Sequence, residues 1–332
     1  MLDAEREERL AKLFRMALNV APEALDTFIE SHCGDDAELR EELSGLLEED
    51  AGGTAGILGQ NLFRAQREVG GRVGPYRLLE VLGEGGMGTV HLAEQTEPVQ
   101  RKVALKTIRL GMASDEVLAR FDAERQALAR MNHPGIAEIY DAGTTESGLP
   151  WFAMEYCPGS TLVAHCDNGR LSVDERLALL IGVCEAVQHA HQKGVIHRDL
   201  KPSNVLVTQR DHRPVPKVID FGVARAVAGG LTPEAWHTSA GDTVGTWLYM
   251  SPEQADPKGD VDTRADVWAL GAMLHELLCG APPFQADNVA RIAAALLREE
   301  PKPPSRRLAE LQAHAAEAVA KARRLDRNGL AR

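Results

Sequence analysis

Two short stretches constrain the fold and chemistry of this chain more than any other feature. Residues 197–204 read His-Arg-Asp-Leu-Lys-Pro-Ser-Asn, and residues 220–222 read Asp-Phe-Gly. Together they supply a carboxylate, an ammonium group, an amide and a second carboxylate. Transfer of a phosphoryl group to a hydroxyl needs a proton acceptor, and Mg²⁺ needs hard oxygen ligands. The two stretches therefore predict a site for metal-assisted phosphoryl transfer.

Four polar side chains in these stretches have candidate roles. Asp199 is the candidate acceptor of the hydroxyl proton, and Lys201 can neutralise charge on the moving phosphoryl group. Asn204 and Asp220 are the candidate ligands for Mg²⁺, with Mn²⁺ as an alternative ion. With these motifs the chain resembles the protein-kinase superfamily, which implies ATP as the phosphoryl donor. The resemblance gives His197 a structural role rather than one in proton transfer.

A glycine-rich stretch upstream is the candidate phosphate cradle. Residues 83–90 read Gly-Glu-Gly-Gly-Met-Gly-Thr-Val and match the pattern G-x-G-x-x-G-x-V. Apolar residues on both sides predict a hairpin between two strands, and glycines allow the backbone to approach phosphates closely. Taken alone, an ordinary glycine-rich turn explains the pattern as well. The candidate nucleotide-binding residues here are Leu82, Gly83, Glu84, Gly85, Gly86, Met87, Gly88, Thr89 and Val90.

The next strand pattern, Val-Ala-Leu-Lys, ends at Lys106. An unpaired ammonium group in a buried strand is costly, so Lys106 is expected to have an acidic partner. Glu124, in a following helical segment, is favoured over Glu116 and Asp122 by its position relative to the lysine. The resemblance implies that this ion pair fixes Lys106 on the α- and β-phosphates, so both residues are catalytic candidates.

Residues 151–157 read Trp-Phe-Ala-Met-Glu-Tyr-Cys. The resemblance identifies this stretch as the hinge, in which backbone groups of Glu155 and Cys157 bind adenine and Met154 is the gatekeeper. A buried core strand is the alternative interpretation of the same residues.

Later motifs bear on the class of substrate. Lys201, Thr246 and the Ser-Pro-Glu of residues 251–253 resemble the serine/threonine branch and its peptide-positioning segment. Protein substrates are therefore expected, rather than the small molecules taken by aminoglycoside phosphotransferases. A pseudokinase is a further alternative, although pseudokinases usually lack the strand lysine, the base or a metal ligand. The resemblance also predicts that Asp266 bonds the backbone of the catalytic loop.

The segment between Asp220 and residue 253 is expected to be phosphorylated by the kinase itself, through a transient dimer. Thr238, Ser239 and Thr243 are the candidate acceptors, whereas Thr232 is expected to be solvated. Arg198, next to the base, is the type of residue that pairs with such a phosphate.

The composition indicates the cellular compartment and excludes some classes of partner. Of the 332 residues, 44% are hydrophobic and five are cysteines without a C-x-x-C pair, which disfavours a disulfide framework or a zinc site. The charged N-terminus does not resemble a signal peptide, and the apolar stretch 266–279 is too short for a bilayer. A cytoplasmic protein with no membrane segment is expected. The net charge of −12 disfavours a nucleic-acid partner.

The predicted architecture is α+β. It is a bilobal protein-kinase fold, with a small β-rich lobe followed by a larger, mainly helical lobe, at residues 76–332. Helical patterns in residues 1–51, with Asp35 as one candidate cap, precede a linker at residues 52–75. Similar small helical segments precede the kinase domain in many bacterial eukaryotic-like (Hanks-type) serine/threonine kinases.

The C-terminal stretch departs from the family pattern. Family members usually end in Asp-Pro-x-x-Arg, whose arginine pairs with the glutamate that is Glu253 here. By position Leu330 replaces that arginine, so Arg327 or Arg332 would have to substitute for it. A truncated or marginally stable helical lobe is therefore expected.

Overall fold

The computed structural model describes residues 10, 13, 29, 32, 33, 36, 39, 40, 42–44, 70–85, 88–108, 131–145, 149–221, 244–256 and 259–325. The chain divides into two compact units, Met1–Val73 and Gly74–Arg332. Within the described ranges, no helix is both long and apolar enough to cross a membrane.

In the first unit, Asp36 caps a helix. Its carboxylate accepts a hydrogen bond from the Leu39 N–H at 3.0 Å, and its carbonyl accepts one from Arg40 at 3.1 Å. This is the pattern of an N-cap residue, one position after the predicted Asp35, which lies outside the described residues. Leu39 and Leu43, four residues apart on this helix, are fully buried.

The second unit begins with an antiparallel sheet. After strand β1 (Arg72–Val73) of the first unit, its strands are β2 (Tyr76–Gly85), β3 (Gly88–Gln95), β4 (Arg101–Ile108), β5 (Ile139–Thr144) and β6 (Pro150–Glu155). Their order in the sheet is β2-β3-β4-β6-β5. Residues 103–108 on β4 are all buried, as suits a central strand covered on both faces. Lys106 lies on this strand, opposite Val90 on β3 and Phe152 on β6.

Helices and a small second sheet make up the rest. The helices are α1 (Leu162–Asn168), α2 (Val173–Gln192), α3 (Val244–Trp247), α4 (Pro252–Ala255), α5 (Arg264–Cys279), α6 (Val289–Arg298), α7 (Pro304–Ala309) and α8 (Ala313–Ala322). The small sheet has the order β7 (Ser160–Thr161), β8 (Val205–Arg210) and β9 (Arg213–Val218). Between α2 and β8 lie the catalytic-loop motif and a 3₁₀ turn, Pro202–Asn204.

Helix α2 shows how the sequence builds this part. Ser172 and Glu175 form a capping box at its start, because each side chain accepts a hydrogen bond from the other residue's backbone N–H. Leu180, Val183 and Val187 recur at helical spacing and are buried. The helix therefore has one well-anchored end and one apolar face.

One apolar core joins the sheet to the helices. It contains Ala104, Phe152 and Met154 from the sheet, together with Val183 from α2 and Met273 from α5. The β-rich part and the helical part thus pack on each other, and the residues between α2 and β9 lie at their junction.

Two buried arginines hold α8, the last helix that the structure describes. Arg176 on α2 is 0% exposed and donates to the carbonyls of Ala322 at 2.7 Å and Leu277 at 3.4 Å. Arg323 is 2% exposed and donates to the same Leu277 carbonyl at 2.9 Å. The carboxylate of Asp167 lies 2.7 Å from Arg176. The end of α8 is therefore bonded to the end of α5 through guanidinium groups.

Candidate active site

The backbone of the catalytic loop is anchored by Asp266, the third residue of α5. Its two oxygens accept hydrogen bonds from the backbone N–H groups of His197 and Arg198, each at 2.8 Å. His191 on α2 contacts the same carboxylate at 2.7 Å. Asp266 is 1% exposed, so these polar contacts replace water around a buried charge. The predicted bond from Asp266 to the catalytic-loop backbone is confirmed.

His197 fixes the loop rather than offering a proton to solvent. It is 1% exposed, its Nε2 contacts the Ile219 carbonyl at 3.0 Å, and its Nδ1 accepts from the Asp199 N–H at 3.3 Å. Its ring also packs on Phe221, with centroids 4.7 Å apart. These contacts connect the catalytic loop with the strand end that carries Asp220.

Asp199 and Lys201 lie together. The Lys201 ammonium is 3.0 Å from the Asp199 carboxylate, and it donates to the Thr246 hydroxyl at 3.0 Å. The Asn204 amide nitrogen donates to the Asp199 carbonyl at 2.7 Å and to its carboxylate at 3.2 Å. Both side chains of the ion pair are about a fifth exposed, at 24% and 21%, so an incoming group can reach them.

Asp220 forms an ion pair with Lys106. The distance between its Oδ2 and the lysine Nζ is 2.8 Å, and the lysine side chain is only 9% exposed. The predicted partner Glu124 lies outside the described residues. Asp220 adopts a left-handed backbone conformation with φ of 62°, which is uncommon for a residue other than glycine. Such strain is found where surrounding structure holds a functional side chain in place.

The two candidate metal ligands fit a hard cation. The second carboxylate oxygen of Asp220, Oδ1, is buried and has no hydrogen-bond partner among the described residues. Asn204 commits its amide nitrogen to Asp199, so the remaining amide atom is an oxygen. The backbone N–H of Ile219 donates to the backbone carbonyl of Asn204 at 2.9 Å. This bond joins the catalytic loop to the segment that carries Asp220. Carboxylate and amide oxygens of this kind suit Mg²⁺.

The glycine-rich stretch forms the hairpin between β2 and β3. Gly85 pairs with Gly88, Glu84 with Thr89, and Gly83 with Val90, while Gly86 and Met87 lie outside the described residues. Leu82, before the hairpin, is 43% exposed. At Gly88, φ is +153° and a Cβ would lie 1.9 Å from the Thr107 carbonyl oxygen. Only glycine allows that approach.

The candidate hinge follows β6. The Glu155 N–H donates to the Glu138 carbonyl at 2.7 Å, and the Cys157 thiol contacts the Glu155 carbonyl at 3.6 Å. Burial raises the pKa of the Cys157 thiol to about 12, with a further contribution from the Glu155 carboxylate and an opposing one from Lys217. The thiol is therefore neutral and can donate. Met154 is buried in the core that joins the two parts.

Two residues of this region were missed by sequence reasoning. Gln254 on α4 donates to the Arg198 carbonyl at 2.6 Å, and Lys217 on β9 forms an ion pair with Glu155 at 2.6 Å. A lysine within the otherwise apolar end of β9 was a readable signal, because a buried ammonium group needs a partner. For Gln254 the readable signal was the Ser-x-x-Gln spacing from Ser251, which forms a capping box at the start of α4.

Several predicted features lie outside the described residues. They are Glu124, Gly222, the candidate phosphorylation sites Thr238, Ser239 and Thr243, the threonine predicted to be solvated, Thr232, and Arg327 and Arg332 near the end of the sequence.

Comparison with known proteins agrees with the geometry. The model of the protein kinase domain matches residues 76–324. The serine/threonine-protein kinase PknB of Mycobacterium leprae is 41% identical over 239 residues, which cover 70% of this chain and 37% of that protein. A probable serine/threonine-protein kinase of Streptomyces coelicolor is 42% identical over 246 residues, 72% of this chain and 35% of the relative. The matched stretch thus spans little more than a third of these relatives.

A solved structure gives the same result for the fold. A mutant of the Mycobacterium tuberculosis PknI kinase domain superimposes with a TM-score of 0.54 and 30% identity, covering 80% of this chain and 94% of that domain. The predicted bilobal fold, with a β-rich lobe and a helical lobe, is confirmed. Members of this family use ATP and a divalent metal ion. The chain belongs to the protein kinase family, and within it to the bacterial Hanks-type serine/threonine kinases.

Proposed function

We propose that this chain transfers the γ-phosphoryl group of ATP to serine and threonine hydroxyls of proteins. The observation that carries the proposal is the arrangement around Asp199. Its carboxylate lies 3.0 Å from Lys201, which in turn bonds Thr246 at 3.0 Å. A base, a cation and a hydroxyl from the peptide-positioning segment therefore lie within one hydrogen-bonded group.

Each of these residues has a distinct task. Asp199 accepts the proton of the incoming hydroxyl, and Asn204 holds the carboxylate in orientation. Lys201 places positive charge next to the oxygens of the transferred group. Lys106 binds the α- and β-phosphates, and Glu124 is its proposed partner in the active arrangement. A Mg²⁺ ion held by Asn204 and Asp220 would neutralise charge on the phosphate oxygens when bound.

The nucleotide is proposed to lie under the glycine hairpin. The backbone of residues 82–90 covers its phosphates, and the backbone of Glu155 and Cys157 bonds its adenine ring. Mn²⁺ is a proposed substitute for Mg²⁺, because both accept oxygen ligands.

Protein substrates are favoured over small molecules. The curated relatives in Mycobacterium and Streptomyces are named serine/threonine-protein kinases. The bond from Lys201 to Thr246 connects the catalytic loop to the segment that would position a peptide. Autophosphorylation at Thr238, Ser239 or Thr243, through a transient dimer, is part of the proposal.

The cellular compartment and the domain boundaries are also part of the proposal. Five cysteines are free thiols, which suits the reducing cytoplasm, where ATP is available. Residues 1–51 would form a helical segment, residues 52–75 a linker, and residues 76–332 the kinase domain.

Comparison of the wild type with Asp199→Asn tests the activity. Both proteins are incubated with labelled ATP, Mg²⁺ and myelin basic protein, and transfer is measured. Loss of the base should lower the rate by about 10²- to 10⁴-fold, while ATP binding is retained. Asp287→Asn, at a carboxylate that is 70% exposed, is the matched control and should keep full activity. If the wild type transfers no phosphate with Mg²⁺ or with Mn²⁺, the protein is a pseudokinase and the proposal is overturned.

A further inference from the structure

Lys217 and Glu155 form an ion pair that none of the catalytic motifs includes. The distance between the lysine Nζ and the glutamate Oε2 is 2.6 Å, and the two side chains are 11% and 29% exposed. Glu155 ends β6 and begins the candidate adenine-binding hinge. Lys217 lies on β9, three residues before Asp220. The pair thus connects the place proposed for adenine with the strand that leads to the metal ligand.

A third segment, residues 135–138, lies between the two partners. The Lys217 ammonium also donates to the Ile136 carbonyl at 3.3 Å, and the Glu155 carboxylate accepts from the Glu138 N–H at 3.3 Å. The Glu155 N–H donates to the Glu138 carbonyl at 2.7 Å. Both side chains therefore bond each other and the same short stretch of backbone.

The backbone of β9 is fixed at the same point. The Val218 N–H donates to the Gly135 carbonyl at 2.8 Å, and the Val218 carbonyl accepts from the Ala137 N–H at 2.9 Å. Asp220 follows two residues later. A shift of Lys217 would therefore move a strand whose next residues carry the candidate metal site.

The charges make this junction sensitive to substitution. A nearly buried ammonium group is tolerated only when it is paired and hydrogen-bonded, and removal of one partner leaves the other uncompensated. The pair therefore acts as a rigid connection, and its loss would loosen the hinge relative to Asp220 more than it would alter either element.

We infer that Lys217 is a positioning residue for the nucleotide and that it acts through Glu155. This inference rests on the function proposed above. It sets the distance between the adenine-binding backbone and the phosphate-binding end of the site. A ligand that contacts both ends depends on that distance, because its two halves bind as linked groups. A ligand that contacts only the hinge does not.

The test measures binding of two ligands by calorimetry, MgADP and adenosine. Lys217→Met and Glu155→Gln should each weaken MgADP binding about 10- to 100-fold, the range for loss of a group that orients a metal ligand, since the pair holds the strand that leads to Asp220. Adenosine binding should change much less in both variants. The double variant should lose little more than either single one, because the two residues act as one unit.

Control variants exclude a general loss of structure. Lys217→Arg keeps the positive charge and should lie nearer to the wild type than to Lys217→Met. Arg77→Met removes an ion pair between neighbouring strands, at 2.7 Å, and should leave both affinities unchanged. Equal weakening of MgADP and adenosine, unchanged MgADP binding, or additive single effects would each overturn the inference.

The same measurements separate this inference from the proposed activity. If the wild type transfers no phosphate but the variants still discriminate MgADP from adenosine, the activity fails and the positioning role holds. If the wild type transfers phosphate and Lys217→Met binds MgADP normally, only the positioning role fails. A wild type that binds neither ligand overturns both.

Discussion

The catalytic loop and the glycine hairpin are held in place by different means. Side chains anchor the loop: Asp266 bonds its backbone, and His197, at 1% exposure, bonds the strand that leads to Asp220. The hairpin is held mainly by strand pairing, and Val81 and Leu82 before it are 37% and 43% exposed. The catalytic residues are therefore fixed before any ligand arrives, whereas the phosphate cover depends on backbone shape.

Among the substitutions that test this comparison, the largest effect is expected from Asp266→Asn. An amide offers one oxygen where the carboxylate offers two, so a backbone N–H of His197 or Arg198 loses its acceptor inside the protein. A buried donor left unpaired costs about 1–3 kcal/mol, and the rate of transfer should fall about 10- to 100-fold through misplacement of Asp199. Denaturant unfolding and kcat measure the two effects. An unchanged kcat would show that the loop does not need this side-chain anchor.

Gly88→Ala tests the glycine hairpin, which is held by strand pairing. A Cβ at this position would lie 1.9 Å from the Thr107 carbonyl oxygen, at a φ of +153°. Such strain costs on the order of 1–3 kcal/mol and would displace the hairpin, so the KM for ATP should rise with a smaller change in kcat. At Gly271 on α5, outside the proposed nucleotide site, a Cβ would have nothing within 4 Å, and Gly271→Ala is the matched control. Equal effects at both glycines would mean that steric room at Gly88 is not what shapes the hairpin.

Thr246→Ala removes one bond from the catalytic group. Lys201 then loses its hydroxyl acceptor at 3.0 Å but keeps Asp199. A hydrogen bond to a charged group contributes about 1.5–3 kcal/mol, so kcat should fall by about tenfold or more with little change in the KM for ATP. Thr246→Ser keeps the hydroxyl and should restore most of the rate. If serine is as slow as alanine, the methyl group and not the hydrogen bond is what matters.

The catalytic loop was also the part that the sequence predicted best. Asp199, Lys201 and Asn204 are close in the chain and therefore close in space, and their residue types already limit their chemistry. The observed partner of Lys106 was not predicted, because Asp220 lies 114 residues away and a local pattern carries no information on such a contact. The buried Lys217 indicated that a partner was needed, but Glu155 lies 62 residues away, so the local pattern did not identify it.

The strands and helices were predictable where apolar residues recur with a clear period. The buried run on β4 is an example. Helix caps were less certain, since the adjacent aspartates at 35 and 36 offer the same chemistry, and the cap that the structure describes is Asp36. The requirement for glycine at Gly88 depends on the Thr107 carbonyl of a neighbouring strand, so the motif alone did not explain it.

The smallest effect is expected from Cys157→Ser, which tests whether the nucleotide-binding side of the site also has a buried side-chain anchor. Burial raises the pKa of the Cys157 thiol to about 12 from an ordinary value of 9.0. The folded state therefore retains a proton that the unfolded chain loses, and this contribution to stability is complete below pH 9 and is lost as the pH rises towards 12. Between pH 7.5 and pH 9.5 the free energy of unfolding should fall on the order of 1 kcal/mol more in the wild type than in Cys157→Ser. Urea unfolding at the two pH values measures the difference, and parallel losses would show that the hinge thiol is solvated, like the exposed hairpin.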